Sequence, residues 1–290
     1  MFEKFGAYIE LTKPKVTLLN LFVAITCFVL GTFPSFNLPK LVLFALAGYF
    51  ACGGCGALNC VFDRDTDRKM ERTSKRAIPN GLVSSGQAAS FGLLLTSGGI
   101  LISYFFFNFL TAIMMVLGAV SYLVVYTVLL KRTSHWNVVI GGLAGCFAAL
   151  SGWSAASKMI SLLPLAVSLV DFLWTPGHLW GLAMKKVKEY RAAGIPMLPA
   201  SVGLKKAARI AFLFNVGAVM SSLVFPVIGL SGLLYFGLAL FAGAWFLSET
   251  RKLLSEPSGT QGFRVFLMSM PYLAVLMVSL IADRIFLIRI

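Results

Sequence analysis

A chain of 290 residues that is 58% hydrophobic and only 12% charged, with a mean hydropathy of +0.86, is too apolar for a water-soluble globule. Nearly all the charges lie between apolar runs of about 17 to 25 residues, the length that crosses a bilayer as helix. The formal net charge of +14 therefore does not point to nucleic acid, because the basic residues are not gathered on one soluble face. The partner it implies is the lipid bilayer.

In chain order, residues 1–15 read as a short interfacial helix, apolar with Lys4 and Lys13 and broken at Pro14. This opening has neither the Arg-rich pattern of a transit peptide nor a cleavable signal, which favours a prokaryotic cell membrane. Nine spans follow, at 16–33, 41–62, 89–107, 109–130, 137–157, 160–184, 207–229, 231–248 and 265–288. The expected fold class is all-α, a multi-pass membrane protein, with the whole of 1–290 forming a single unit. One set of span ends carries Lys4, Lys13, Lys15, the basic residues of 64–76, Lys131, Arg132, those of 185–209, Arg251, Lys252 and Arg264. The other set carries only Lys40, Lys158, Arg284 and Arg289. The asymmetry places the N-terminus and the long loops 63–88 and 185–206 in the cytoplasm. Long charged loops in a compact bundle usually have work to do.

The stretch 59–81, NCVFDRDTDRKMERTSKRAIPNG, ends the second span and carries Asp63, Asp65 and Asp67 within five positions. Asn59, Asp63 and Asp67 are spaced four apart, so on a helix they stack on one face, about 6 Å from one to the next. Two carboxylates that close repel unless a cation lies between them. Arg72, Lys75 and Arg76 follow at once and can grip phosphate oxygens. The combination suggests a metal–diphosphate site. The same stretch also fits a solvated acidic helix end with basic flanks that obey the positive-inside rule.

All five cysteines, Cys27, Cys52, Cys55, Cys60 and Cys146, fall inside apolar runs. The CysGlyGlyCys at 52–55 lies in a small-residue helix without a nearby histidine, so close helix packing explains it better than redox or metal chemistry. Tyr126 and Lys131 end the fourth span on the side of the aspartates, where they either meet a phosphate or serve as girdle tyrosine and positive-inside lysine. In the sixth span, Pro176-Gly177 should break or kink the helix. His178 follows this point between Trp174 and Trp180, as a site residue or a helix-packing donor. Asp171 lies about two turns deeper, either functional or bonded between helices. Glu189 is the only acid of the second long loop, opposite Lys185, Lys186, Lys188 and Arg191.

NxxxDRDxDxxMxRTxxR (59–76), VYTxxLKR (125–132), IGGxAG with GW (140–153), WTPxH (174–178) and EYRAAGIPMLP (189–199) together resemble the UbiA-type intramembrane prenyltransferases. The last two motifs point to the branch that farnesylates protohaem IX. The resemblance implies nine transmembrane helices around a central cavity open to the cytoplasmic side, with loops 63–88 and 185–206 capping it. It also implies Mg²⁺ as cofactor, farnesyl diphosphate as donor and haem B as acceptor, giving haem O. A downstream haem A synthase or terminal oxidase is a further candidate partner. On this basis Asn59, Asp63 and Asp67 are the expected metal ligands, and with Tyr126 and Lys131 the catalytic set. Arg72, Lys75, Arg76, Glu189, His178 and Trp174 are expected to bind substrates. Ala77, Gly177 and Leu179 depart from the family pattern. Glu189 alone stands where most of the superfamily has a second aspartate cluster, which leaves a second Mg²⁺ open. Two other activities also stay open: prenyl transfer to a quinone-precursor or lipid acceptor, and non-catalytic haem or metabolite transport. WTPxH and AAGIPMLP speak against the first, and the absence of matching broken helices in two halves speaks against the second.

Overall fold

The computed structural model describes residues 2–71 and 73–286. Among these the chain is helical, and nine helical segments are long and apolar enough to cross a membrane. A short helix α1 (Phe2–Leu11) is followed by α2 (Pro14–Thr32), α3 (Leu38–Asp67), α4 (Ser85–Phe106) and α5 (Phe109–Val120). The last of these continues as a π-helix (Ser121–Leu130). Then come α6 (Asn137–Gly141), α7 (Leu143–Ser157), α8 (Leu162–Lys185), the short α9 (Val187–Ala192) and α10 (Leu198–Val202), α11 (Leu204–Val227), α12 (Leu233–Ser255) and α13 (Gly259–Phe286).

The helix starts follow local chemistry. Pro14 opens α2 at a position where its missing N–H costs nothing. Asn37 caps α3 by accepting from the Lys40 N–H at 3.0 Å. Ser84 and Gln87 form a capping box at the start of α4. Several of the expected boundaries shift, and the eighth span runs to Ser255 while the ninth starts at Gly259. The second span runs five residues further than expected, to Asp67, so the aspartates are helical and the loop begins only after them. The fifth span is interrupted at Gly142, between α6 and α7.

The helices form two groups. In the first, α2 packs on α3 and α7, α4 on α3 and α5, and α5 on α7. In the second, α8 packs on α11 and α13, and α12 on the same two helices. Contacts of α7 with α8 and of α2 with α13 join the groups. The second group is filled by fully buried aromatic side chains, among them Trp180, Tyr235, Phe246 and Tyr272. Tyr272 stacks on Phe246 at 4.8 Å between centroids. Leu94, Phe105, Val227 and Phe241 point outward and are more than 70% exposed, as a lipid-facing surface requires.

Of the break or kink expected at Pro176-Gly177, the break is absent: α8 runs through it to Lys185. Gly177 has a packing reason instead. A Cβ there would come within 1.8 Å of Asn215 Oδ1 on α11, so only glycine admits this approach. Pro176 is buried between helices, where neighbouring groups compensate for its missing N–H better than lipid would.

Candidate active site

The last two turns of α3 bury Asn59, Asp63 and Asp67, at 1%, 1% and 4% exposure. Asp65, half a turn away, faces solvent. Burying two carboxylates costs several kcal/mol each unless they are paired. Each has a cation from another part of the chain. Asp63 Oδ2 forms an ion pair with Lys131, and Asp67 Oδ2 accepts from Arg76 Nη1 at 2.8 Å. Asn59 accepts from Lys13 through its carbonyl oxygen and donates to Thr127 Oγ1 at 2.8 Å. Thr73 Oγ1 ties the following loop to the Asp67 carbonyl at 3.0 Å.

The π-helix supplies the facing wall. Its i→i+5 bonding, seen in Lys131 N–H to Tyr126 O at 2.8 Å, widens the turn. Tyr122, Thr127 and Lys131, four or five residues apart, thereby meet α3 together. Thr127 Oγ1 donates to the Tyr122 carbonyl at 2.8 Å, and the Tyr122 hydroxyl lies 3.5 Å from Lys13 Nζ. Tyr126 stacks on Tyr122 at 5.9 Å, with Lys131 Nζ 5.9 Å from the Tyr126 ring centre. Arg132 donates to the Phe62 carbonyl at 2.7 Å and pins the same junction.

Lys13 is the principal residue that the sequence did not single out. It bridges α1 and α2 in the left-handed backbone region (φ 49°), which turns its side chain onto Asn59. Burial pushes its ammonium below the usual lysine range. Burial opposes the charge of Arg76 too, but Asp67 more than offsets it and the guanidinium ends above its ordinary value.

Behind this charged mouth an apolar cavity runs between α2, α3, α5 and α7. Lys13, Gly56 and Tyr122 line its charged end, and Phe44, Met115 and Ser151 line the other. The remaining lining is almost wholly aliphatic, and Asn20, Cys52 and Cys55 are its main polar contributions. The cysteine pair, read from sequence as packing, thus faces this cavity.

His178 and Trp174 do not line this cavity. They sit in the second helix group, where the His178 ring is sandwiched between Trp174 at 4.2 Å and Phe266 at 4.4 Å. Ser269 holds both: its carbonyl accepts from Trp174 Nε1 at 2.9 Å, and its Oγ lies 2.6 Å from His178 Nδ1. The Ser269 Oγ also lies 2.7 Å from the Phe266 carbonyl, so it links the imidazole to the α13 backbone. Asp171 presses on α7, where a Cβ on Gly145 would come within 2.1 Å of its Oδ2. Glu189 pairs with Lys186 on its own loop at 2.6 Å. Lys75 is exposed beside Arg76. Arg72 lies outside the described residues.

Among the described residues no three His, Cys, Asp or Glu side chains cluster as a metal cage. Asp63, Asp67 and Asn59 offer two carboxylates and one amide oxygen. Asp63 Oδ1 is buried without a hydrogen-bond partner, a state that costs about 1–3 kcal/mol. This set suits a hard divalent ion that completes its shell with substrate phosphate oxygens and water.

A profile of the UbiA prenyltransferase family matches residues 20–274. The chain is 35% identical to protoheme IX farnesyltransferase 1 of Cenarchaeum symbiosum over 283 residues, 96% of this chain and 95% of that protein. It is 39% identical to the protoheme IX farnesyltransferase of Mycolicibacterium smegmatis over 285 residues, 96% of this chain and 91% of the other. Among solved structures, a digeranylgeranylglyceryl phosphate synthase superposes with a TM-score of 0.76 at 21% identity, over 98% of this chain and 99% of that one. A UbiA homologue from Archaeoglobus fulgidus bound to DMAPP and Mg²⁺ gives 0.73 at 17% identity, over 95% and 99%. The structures share the fold, and the sequence matches extend nearly end to end: this chain belongs to the UbiA prenyltransferase family.

Proposed function

We propose that this prenyltransferase moves the farnesyl group of farnesyl diphosphate onto a vinyl group of haem B, with addition of water, giving haem O. The observation that carries the donor half is the convergence of Asn59, Asp63 and Asp67 with Lys13, Lys131 and Arg76, of which Lys13 also lines the end of an apolar cavity. The names of the relatives support haem as the acceptor.

In formal charge, the three cations exceed the two carboxylates by one. Asp63 and Asp67, with Asn59 orienting, would hold one Mg²⁺, which would bring the mouth to three positive charges. A diphosphate ester carries roughly three negative ones at neutral pH. The ion supplies Lewis-acid neutralisation of the leaving group when bound. Lys131 and Arg76, now on the carboxylates, turn to the diphosphate oxygens and stabilise them as the allylic C–O bond ionises. Lys75 extends the same basic flank. The terminal vinyl carbon of haem attacks the allylic C1 and forms the new C–C bond. Water captures the cation left on the haem side chain and loses a proton, while diphosphate departs. No strong general base is needed, and the prenyl tail stays dry in the cavity, where each buried methylene contributes about 0.8 kcal/mol.

His178 and Trp174 belong to the acceptor side on this proposal, with the His178 imidazole as the candidate iron ligand. The whole chain acts as one unit, with α1 at the interface and the segments after α3 and α8 as a cap. Met70 of the first segment shares a buried cluster with Tyr190, Ile195 and Met197 of the second, which supports the cap. The lysine and arginine distribution supports a cell-membrane enzyme with its mouth on the cytoplasmic side.

The test is incubation of membranes containing the protein with haem B, farnesyl diphosphate and Mg²⁺, followed by mass spectrometry. A hydroxyethylfarnesyl haem is the expected product. Prenylation of a quinone precursor or lipid, with haem untouched, would transfer the assignment to that acceptor class.

A further inference from the structure

We propose that Phe44, braced by Phe28 and Phe107, is the floor that limits the prenyl donor to three isoprene units. This rests on the donor half of the function proposed above. The cavity follows α3 from Gly56 at the charged mouth to Phe44, an axial rise of about 18 Å at 1.5 Å per residue. An extended chain advances about 1.2 Å per bond, so four bonds per isoprene unit give about 5 Å. Three units span about 15 Å and fit with the reactive carbon near Tyr122; four span about 20 Å and meet the floor.

That floor is built to resist. The Phe44 ring stacks face to face on Phe28 of α2, with centroids 5.1 Å apart and planes 16° apart. Phe107, just after α4, packs edge-on against both, at 6.2 Å from Phe28 and 5.9 Å from Phe44. Met115 of α5 completes the same buried cluster, its sulfur accepting from Ser103 Oγ at 3.0 Å. Three helices and a helix end thus hold one aromatic plug, and moving Phe44 requires moving its partners. Above it the wall is made of small residues, Gly48, Ala51 and Cys52 on α3, which leave room for a branched chain.

Two substitutions change the depth in opposite directions. Phe44→Ala removes the floor. Gly48→Leu adds bulk one turn above it; its Cβ would meet only the Cδ1 of Leu21 at 2.9 Å, the movable end of another cavity-lining side chain. The experiment is calorimetric binding of geranyl, farnesyl and geranylgeranyl thiodiphosphates to the purified full chain in detergent with Mg²⁺. Thermal unfolding serves as the folding control. Wild type should favour farnesyl over geranylgeranyl by about tenfold or more. Phe44→Ala should shift that ratio toward geranylgeranyl about tenfold, and Gly48→Leu should shift preference toward geranyl. Wild-type ratios in the folded variants would overturn the floor, and if Phe44→Ala does not fold, Gly48→Leu decides alone. Product analysis with haem B runs in parallel. Length discrimination without prenylated haem removes the acceptor and leaves the floor. Absence of donor binding by the wild type ends both.

Discussion

The two helix groups bury acids in different ways. In the second group, Asp283 of α13 spends both carboxylate oxygens on backbone N–H groups at the start of α12, Gly232 at 2.6 Å and Tyr235 at 3.1 Å. Glu249 of the same group is instead held by the side chains of Lys252 and Arg264 at 2.6 and 2.8 Å, with no hydrogen bond to its Oε2, so it is Asp283 that stands opposite Asp63. In the first group Asp63 has one oxygen on Lys131 and the other buried with nothing to accept from. Its neighbours Lys13 and Arg76 are likewise side-chain cations free to change partners, whereas a helix N-terminus is not. Carboxylates saturated by backbone hold a fold together; carboxylates matched to mobile cations with capacity to spare can receive a charged ligand. On the proposed function the donor chemistry falls to α3 and the π-helix, while Asp283 anchors α13 to the start of α12.

That division can be broken most directly at the aspartates. Asp63→Asn and Asp67→Asn should each lower prenyl transfer at least 10³-fold while the protein still purifies as a folded bundle, since two cations lose the ion that balances them against diphosphate. Near-normal turnover in either variant, measured by mass spectrometry of the haem product, would remove the site from α3. Chelation should act as strongly. EDTA should abolish turnover and Mg²⁺ restore it, with no change in thermal unfolding when diphosphate is absent, because two carboxylates and one amide hold an ion weakly without phosphate oxygens to complete its shell. A lower melting temperature on chelation alone would mean a structural metal.

Lys131→Ala should cost about 10²–10³-fold in kcat, the usual price of one positioned donor, with a smaller change in the haem KM. His178→Ala should have a smaller effect, about tenfold, and on haem use alone; donor binding by calorimetry should be unchanged. Equal loss of donor binding would tie His178 to the first group after all.

The helical face of Asn59, Asp63 and Asp67 was legible because a spacing of four needs only helix geometry to become a surface. The nine spans were legible for the same reason, since length and hydropathy are local. What escaped was tertiary. Lys13 looks in sequence like any lysine at a membrane edge, and only its left-handed backbone and the approach of α2 to α3 turn it onto Asn59. Tyr122 and Thr127 fall on one face with Lys131 only through a π-helix, for which no local residue pattern was read. The helix break expected at Pro176 failed because Gly177 answers to Asn215, thirty-eight positions away. Phe44 looked like any aromatic in an apolar run until Phe28 and Phe107 closed around it.

The smallest effect on chemistry should come from Asp283, and it sharpens the comparison most. Its carboxylate does for α12 what an N-cap does from within the chain, satisfying two orphan donors and placing negative charge at the positive end of the helix. Asp283→Ala leaves those N–H groups buried and should cost about 1–3 kcal/mol of stability, read as a lower melting temperature in detergent. It reaches the Asp63 mouth through helix packing, by way of α13 on α2 and of α13 on α8, α7 and the π-helix. Turnover per folded molecule should therefore stay within about twofold of wild type, because a lost cap raises the unfolded fraction without moving the reacting groups. A large fall in kcat at unchanged melting temperature would mean that the second helix group shapes the reaction itself, and the division between the two groups would not stand.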